Sequence, residues 1–237
     1  MLGIGNGLVY GGHIGFEPTE IADISFWFDA THGTTLDTDL VDSWAAKFGP
    51  WCAKSPSGGA TRPTHNDTYI TFDGGDDLDI YRSDCSTALD ITLDSGSGGW
   101  TLLAIYTDAD WNGAQQAIFG HKSANTDFVR HDLTNDRFEI KINNNLRTID
   151  LDSALTDSQY YAIMLTFDGT LTLYIDNVAQ ADTETLSDSN DITINAFAQR
   201  NNVDKLTGDV KHLIGYDRIL TSGERAQIQS WANQFIG

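Results

Sequence analysis

Positive charge is scarce in this chain: 14 Lys and Arg stand against 34 Asp and Glu, a formal net of −20. A nucleic-acid partner needs a basic footprint, so the composition argues against that class. Glutamate is scarce as well, five residues against twenty-nine aspartates. Glutamate and lysine furnish helix surfaces whereas aspartate favours turns and caps, so a loop-rich chain with little helix is expected. No apolar run approaches the roughly 18 residues of a membrane-spanning helix, and no membrane insertion is expected. The six histidines never stand at metal-ligand spacing, which leaves no zinc site to propose. With only Cys52 and Cys85 there is no disulfide framework and no C-x-x-C. One bridge between them is open, but two buried free thiols are the expectation. Residues 1–15 lack a basic segment followed by a long apolar one, so a secretory leader is not expected.

What is present fits one all-β domain of 237 residues, with 40% hydrophobic and 11% aromatic side chains for the core. From Arg137 to Asn143 the chain alternates, Phe138, Ile140 and Ile142 against Arg137, Glu139 and Lys141. Leu171, Leu173 and Ile175 alternate in the same way with Thr172 and Tyr174. That period of two predicts strands with one wet face. Asp168-Gly169 predicts a two-residue hairpin turn, and Asn143-Asn144-Asn145 is a similar turn signal. Trp100–Thr107, Gln116–His121 and Tyr160–Phe167 read as further strands, the last apolar throughout and so buried on both faces. Thr221-Ser222-Gly223-Glu224 is a capping box, and Ile228, Trp231, Ala232 and Phe235 behind it form one helical stripe. Six glycines in residues 1–15 predict a flexible arm. The division is therefore an arm over residues 1–20 and a β-sandwich over residues 21–237.

Three stretches, taken in order, resemble the laminin-G-like, concanavalin A-like lectin/glucanase superfamily. The first runs from Ser25–Ala30 (SFWFDA) through Val41–Phe48 (VDSWAAKF) and Ala60–Thr64 (ATRPT) to Ile70–Leu78 (ITFDGGDDL). The second is Met164–Asn177 (MLTFDGTLTLYIDN), similar to the central hairpin of such modules. The third is Leu206–Arg225 (LTGDVKHLIGYDRILTSGER), similar to their closing strand and its tail. The resemblance implies a jelly-roll β-sandwich of two antiparallel sheets with a short C-terminal helix. Many members carry an acidic residue three positions after the closing strand's glycine, where it supports a structural calcium. Here Lys211 stands three positions after Gly208.

Glucanases of this fold need paired carboxylates spaced by two on one strand. No glutamate of this chain belongs to a Glu-x-Asp-x-Glu triplet, and Asp182-Thr183-Glu184 reads as a loop. Catalysis is therefore not expected. Asp108, Asp110 and Asn112, followed by Gly113, imitate the first half of a calcium loop. Calcium is the candidate cofactor there, and a hairpin loop held by Asx-turns is the plainer alternative. Asp73, Asp76, Asp77 and Asp79 offer further oxygens, read more simply as caps of a bend. Trp111 beside Asn112 has the equipment of a sugar platform, an aromatic face with polar neighbours. Arg130, His131, Arg200, Asn201 and Asn202 are further glycan-binding candidates on loops or edges.

A concanavalin-like domain behind a glycine-rich start resembles modules encoded among phage structural genes. That implies a non-catalytic virion protein, a capsid decoration or tail-fibre module, whose arm docks on other virion proteins through Leu2, Ile4, Leu8, Val9 and Tyr10. The sandwich would then face cell-surface glycans, with a homo-oligomer as a further expectation. The alternatives are an extracellular bacterial carbohydrate-binding module or lectin, and a degenerate glycoside hydrolase.

Overall fold

The computed structural model describes residues 15–56, 61–110, 113, 115–186 and 190–236. The docking candidates of the arm, Leu2 to Tyr10, lie outside the described residues, as do Trp111 and Asn112. Among the described residues the fold is a jelly-roll-type β-sandwich of antiparallel strands closed by one α-helix. One layer carries β1 (Ile24–Asp29), β6 (Ile70–Asp73), β9 (Trp100–Tyr106), β14 (Tyr161–Phe167), β15 (Thr170–Ile175), β16 (Val178–Thr185) and β19 (Thr207–Tyr216). Its order is β19–β9–β14–β15–β16, and β1 and β6 share the free edge of β19. The opposing layer carries β2 (Thr34–Asp37), β3 (Leu40–Ala45), β4 (Trp51–Lys54), β7 (Leu78–Arg82), β10 (Gln116–Gly120), β11 (Phe128–Asp132), β12 (Arg137–Ile142), β13 (Asn145–Asp150) and β18 (Ala196–Phe197). Its order is β2–β3–β4–β7–β18–β10–β11–β12–β13. β5 (Thr64–His65) pairs with β3 and β6 and joins the layers at one edge, while β8 (Ile91–Leu93) and β17 (Ile192–Ile194) pair apart.

Alternation sends Phe26 and Phe28 of β1 inward, where Phe28 meets Phe197 of the other layer at 5.0 Å between ring centroids. β9 is buried on both faces. Leu102, Ala104 and Tyr106 enter the core between the layers, while Leu103 and Ile105 lie beneath α1 (Ser222–Ile236). That two-sided burial is why the β9 and β14 segments lack polar alternation.

The helix follows the capping-box reading. Glu224 Oε2 accepts from Thr221 N at 2.8 Å, and Glu224 N donates to Thr221 Oγ1 at 3.3 Å. Arg218 binds both Glu224 oxygens, at 2.5 and 2.9 Å, and its guanidinium holds the carboxyl down at about 2. Ile228, Trp231 and Ala232 are buried on β9, β14 and β19. Lys211, standing where the resemblance puts an acidic residue, donates to the Phe235 carbonyl at 2.6 Å and lies 3.5 Å over the Tyr160 ring. It secures the end of the helix, where carbonyls favour a cation.

Three expectations are corrected. Residues 16–20 are not part of an arm: Phe16 packs beside the helix, residues Pro18–Glu20 form a 3-10 turn, and Tyr216 Oη donates to the Pro18 carbonyl. The connection at Asp168 is three residues long, because Phe167 faces Leu171; Gly169 sits at φ 98° and Asp168 Oδ1 accepts from Thr170 N. Cys52 and Cys85 are bridged, not free. The turn after β7 folds back through Cys85 N to the Arg82 carbonyl, which brings the two Cα atoms to 5.4 Å.

Under the helix, His212 is buried against Trp27, Trp231 and Phe235. Its Nδ1 accepts from the Trp27 indole at 3.4 Å, so a protonated ring would turn a donor toward a donor. Burial pushes its pKa down to about 4, outweighing Asp29 at 3.8 Å, while Lys47 and Lys211 push the same way as burial. The unfolded chain therefore binds the extra proton first, and stability falls as pH drops from about 6.5 towards 4. A loss of about 3 kcal/mol is expected across that window. Urea titrations at pH 7 and 4.5 check it, and His212→Phe should flatten the difference.

Candidate functional site

The outer face of the second layer was expected to be wet, and it is instead a packed polar floor. Glu139 is buried, with Oε2 accepting from Arg130 Nε at 2.7 Å and Oε1 from Arg137 at 2.9 Å. Arg137 also meets Asp132 at 3.0 Å, and Arg130 and Arg200 both bind Asp204. Both guanidiniums lie over the Phe128 ring, Arg130 at 5.0 Å and Arg200 at 4.9 Å from its centroid. Charge is balanced here, three arginines to three carboxylates.

Towards β7 this floor opens. Asp77 and Asp79 stand two apart at the start of the strand, so both fall on the outer side while Leu78 and Ile80 enter the core. Gln199 Nε2 spans them, donating to Asp77 at 2.7 Å and to Asp79 at 3.3 Å. Lys205 holds Asp77 at 2.5 Å and Lys122 holds Asp79 at 3.2 Å. Burial raises the Asp79 carboxyl above the usual range, with Lys122 opposing. Gln199 reaches this position because Gly120 has no side chain: a Cβ there would stand 2.0 Å from the Gln199 carbonyl oxygen. Gln199 Oε1 in turn accepts from Asn202 N at 3.1 Å and sets the loop. The result is a pocket of about 210 Å³ with Asp77, Asp79 and Gln199 at its base and Lys122, Ser123 and Asn202 among its walls. Partly buried Tyr81 stands beside it, its ring 5.6 Å from Lys122 Nζ.

A second pocket of about 420 Å³ lies across the Asp77–Lys205 pair, lined by Gly74, Gln115, Gln116, Asp204, Lys205 and Thr207. Carboxylate, amide, ammonium and hydroxyl groups alternate around both. That is equipment for fixing several hydroxyls of a polar ligand, and the ion pairs hold it in place beforehand.

The sequence candidates divide on this geometry. Asn202 lines the first pocket, and Asn201 stands exposed beside it at φ 48°. Arg200 is spent on Asp204 and Asn125. Arg130 and His131 are corrections, since neither sits on a loop or edge. Arg130 belongs to the ion-pair floor, and His131 is 1% exposed in the core. The tyrosine hydroxyl of Tyr106 lies 3.1 Å from His131 Nδ1, and Asp108 Oδ2 lies 2.6 Å from His131 Nε2. The 108–113 loop, the calcium candidate, is described only in part. Asp108 is fully buried and its other oxygen accepts from Gln116 at 3.1 Å and from Asp110 N at 2.8 Å, an Asx-turn. Of the two proposed ligands that are described, Asp110 faces outward and Asp108 does not; Asn112 lies outside the described residues. Among the described residues no three His, Cys, Asp or Glu side chains converge as a metal site. Asp77, Asp79, Lys122, Gln199 and Lys205 were not picked out as a group by the sequence. Their signal was the Asp-x-Asp spacing ahead of a strand, which a glutamate-based search passes over.

No known family profile matches the chain, and no curated protein sequence matches it. Solved structures do. Trypanosoma rangeli sialidase in complex with sialic acid is 13% identical over 92% of this chain and 34% of its own, with a TM-score of 0.60. The receptor-binding domain of botulinum neurotoxin type G is 13% identical over 89% of this chain and 51% of its own, with a TM-score of 0.57. The chain thus spans about a third of the sialidase and half of the neurotoxin domain. At such identity the likeness is one of fold, a β-sandwich.

Proposed function

We propose that this protein is a non-catalytic glycan-binding module, and that the pocket over Asp77, Asp79, Gln199 and Asn202 is its sugar site. The observation that carries this is the two buried carboxylates, held ready by Gln199, Lys122 and Lys205 beneath an opening about one sugar ring in size. A structural ion pair needs no opening above it, whereas a ligand site does. The fold shared with a sialidase and a receptor-binding domain supports the same reading. Carriage on a virion, as a capsid decoration or tail-fibre module attached through the glycine-rich start, is the placement we favour. One observation favours the alternative of an extracellular bacterial lectin: the Cys52–Cys85 bridge, which suits an oxidising compartment. Immunogold labelling of native particles decides between them, and bare particles would remove the virion reading.

The binding test is direct. Asp79→Asn and Asn202→Ala should each weaken glycan binding about tenfold, as expected for one lost hydrogen bond to a charged or fixed group. Calorimetry with the best hit of a glycan array reads this, and melting curves confirm that the fold is retained. Unchanged affinity in both variants would move the site elsewhere. No reducing ends should appear from laminarin, agar, alginate or chitin; turnover lost on changing one carboxylate to its amide would overturn the non-catalytic reading.

A further inference from the structure

A third pocket, of about 320 Å³, lies beyond Thr207 on strands β6 and β19, outside the site described above. Thr207 lines both this pocket and the second one, and the Asp77–Lys205 pair divides the second from the first. The three openings therefore follow one another around the same end of the sandwich. The third has a largely apolar wall that includes Phe72 and Ala109, with Thr71, Ser158, Thr207 and the Asp209 carboxylate as its polar groups. Asp209 is fixed by Thr71 Oγ1 at 2.6 Å and by Tyr160 Oη at 3.3 Å.

Charge along this line is one-sided. Lys122 and Lys205 are taken up by Asp79 and Asp77, and Asp204 is met by Arg130 and Arg200. Asp73 and Asp209 have no ion-pair partner among the described residues, and Asp73 also lines the third pocket. On a chain of net charge −20 this potential repels carboxylated or sulfated sugars and accepts neutral or amino sugars.

Resting on the glycan-binding reading, we infer that the three pockets are successive subsites of one groove for a neutral or amino-sugar oligosaccharide of at least three units. A single sugar fills only the first pocket, and longer chains add contacts past Lys205 and Thr207. The test uses laminari-, chito- and agaro-oligosaccharides of one to six units, with sialyllactose and oligo-alginate as the anionic arm. Affinity should rise at least tenfold from one unit to four in the series that binds, and the anionic arm should not bind. Ser158→Trp and Ala109→Trp both alter exposed residues at the third pocket. They should cut tetrasaccharide affinity about tenfold and leave the affinity of the shortest binding sugar unchanged. Equal affinity at all lengths, indifference to both tryptophans, or preference for the anionic arm overturns the groove while leaving the first pocket standing. Absence of binding by any sugar of any length overturns both.

Discussion

Glu139→Gln is expected to destabilise the protein by about 3 kcal/mol, because it leaves the buried Arg130 and the partly exposed Arg137 short of a counter-charge. Arg130 and Arg137 converge on Glu139 from a neighbouring strand and from its own strand, and all three sit on the outer face of the second layer. The glutamine keeps the shape and removes the charge, so lost packing contributes little. Arg130 keeps Asp204 and Arg137 keeps Asp132, which limits the loss to the range of a broken buried pair. Urea unfolding should show a lower midpoint at unchanged slope. High salt should not abolish the difference, since buried pairs are poorly screened. Arg130→Met combined with Glu139→Leu should recover part of the loss, the signature of a pair that costs more when halved than when removed. A change below about 1 kcal/mol in Glu139→Gln would mean that the site is hydrated and the floor loosely held.

The same residue marks where the sequence stopped being informative. The alternation of Phe138, Ile140 and Ile142 gave the strand, because a core face needs only local pattern. It also made Glu139 a surface residue, and that was wrong: Arg130, which covers it from the neighbouring strand, is itself held by Asp204, 65 positions beyond Glu139. The capping box at Thr221 and the turn at Asn143-Asn144 were legible for the opposite reason, since each closes within four residues. Both asparagines of that turn take positive φ, 48° and 67°, between Ile142 and Asn145, a two-residue I′ connection. The candidate site was legible only in part. Asp77 and Asp79 were visible as a cluster, but Gln199 and Lys205, which turn that cluster into a pocket, come from more than 100 residues later. Asn202 was reached by residue type alone. In the 108–113 loop, Asp-x-Asp-x-Asn describes spacing alone, and spacing does not show that Asp108 points inward at His131 and Gln116.

Loss of the Cys52–Cys85 bridge should cost about 3.5–4 kcal/mol, the chain-entropy value for a loop of 33 residues. Cys52 is fully buried on β4 and tolerates alanine better than serine, so Cys52→Ala with Cys85→Ser is the suitable pair. The double variant should unfold at a lower urea concentration, with a midpoint that added reductant leaves unchanged. Wild-type protein kept in dithiothreitol should move towards the same midpoint. The effect should also reach the site. The bridge ties β4 to the turn after β7, and β7 carries Asp79 and directly follows Asp77. Glycan affinity should therefore fall in the double variant under conditions where the protein is still folded, through looser positioning of the two carboxylates. A thiol titration of the denatured, unreduced protein gives the plainest check. Two free thiols would remove the bridge, and with it the argument that this module matures or works in an oxidising environment.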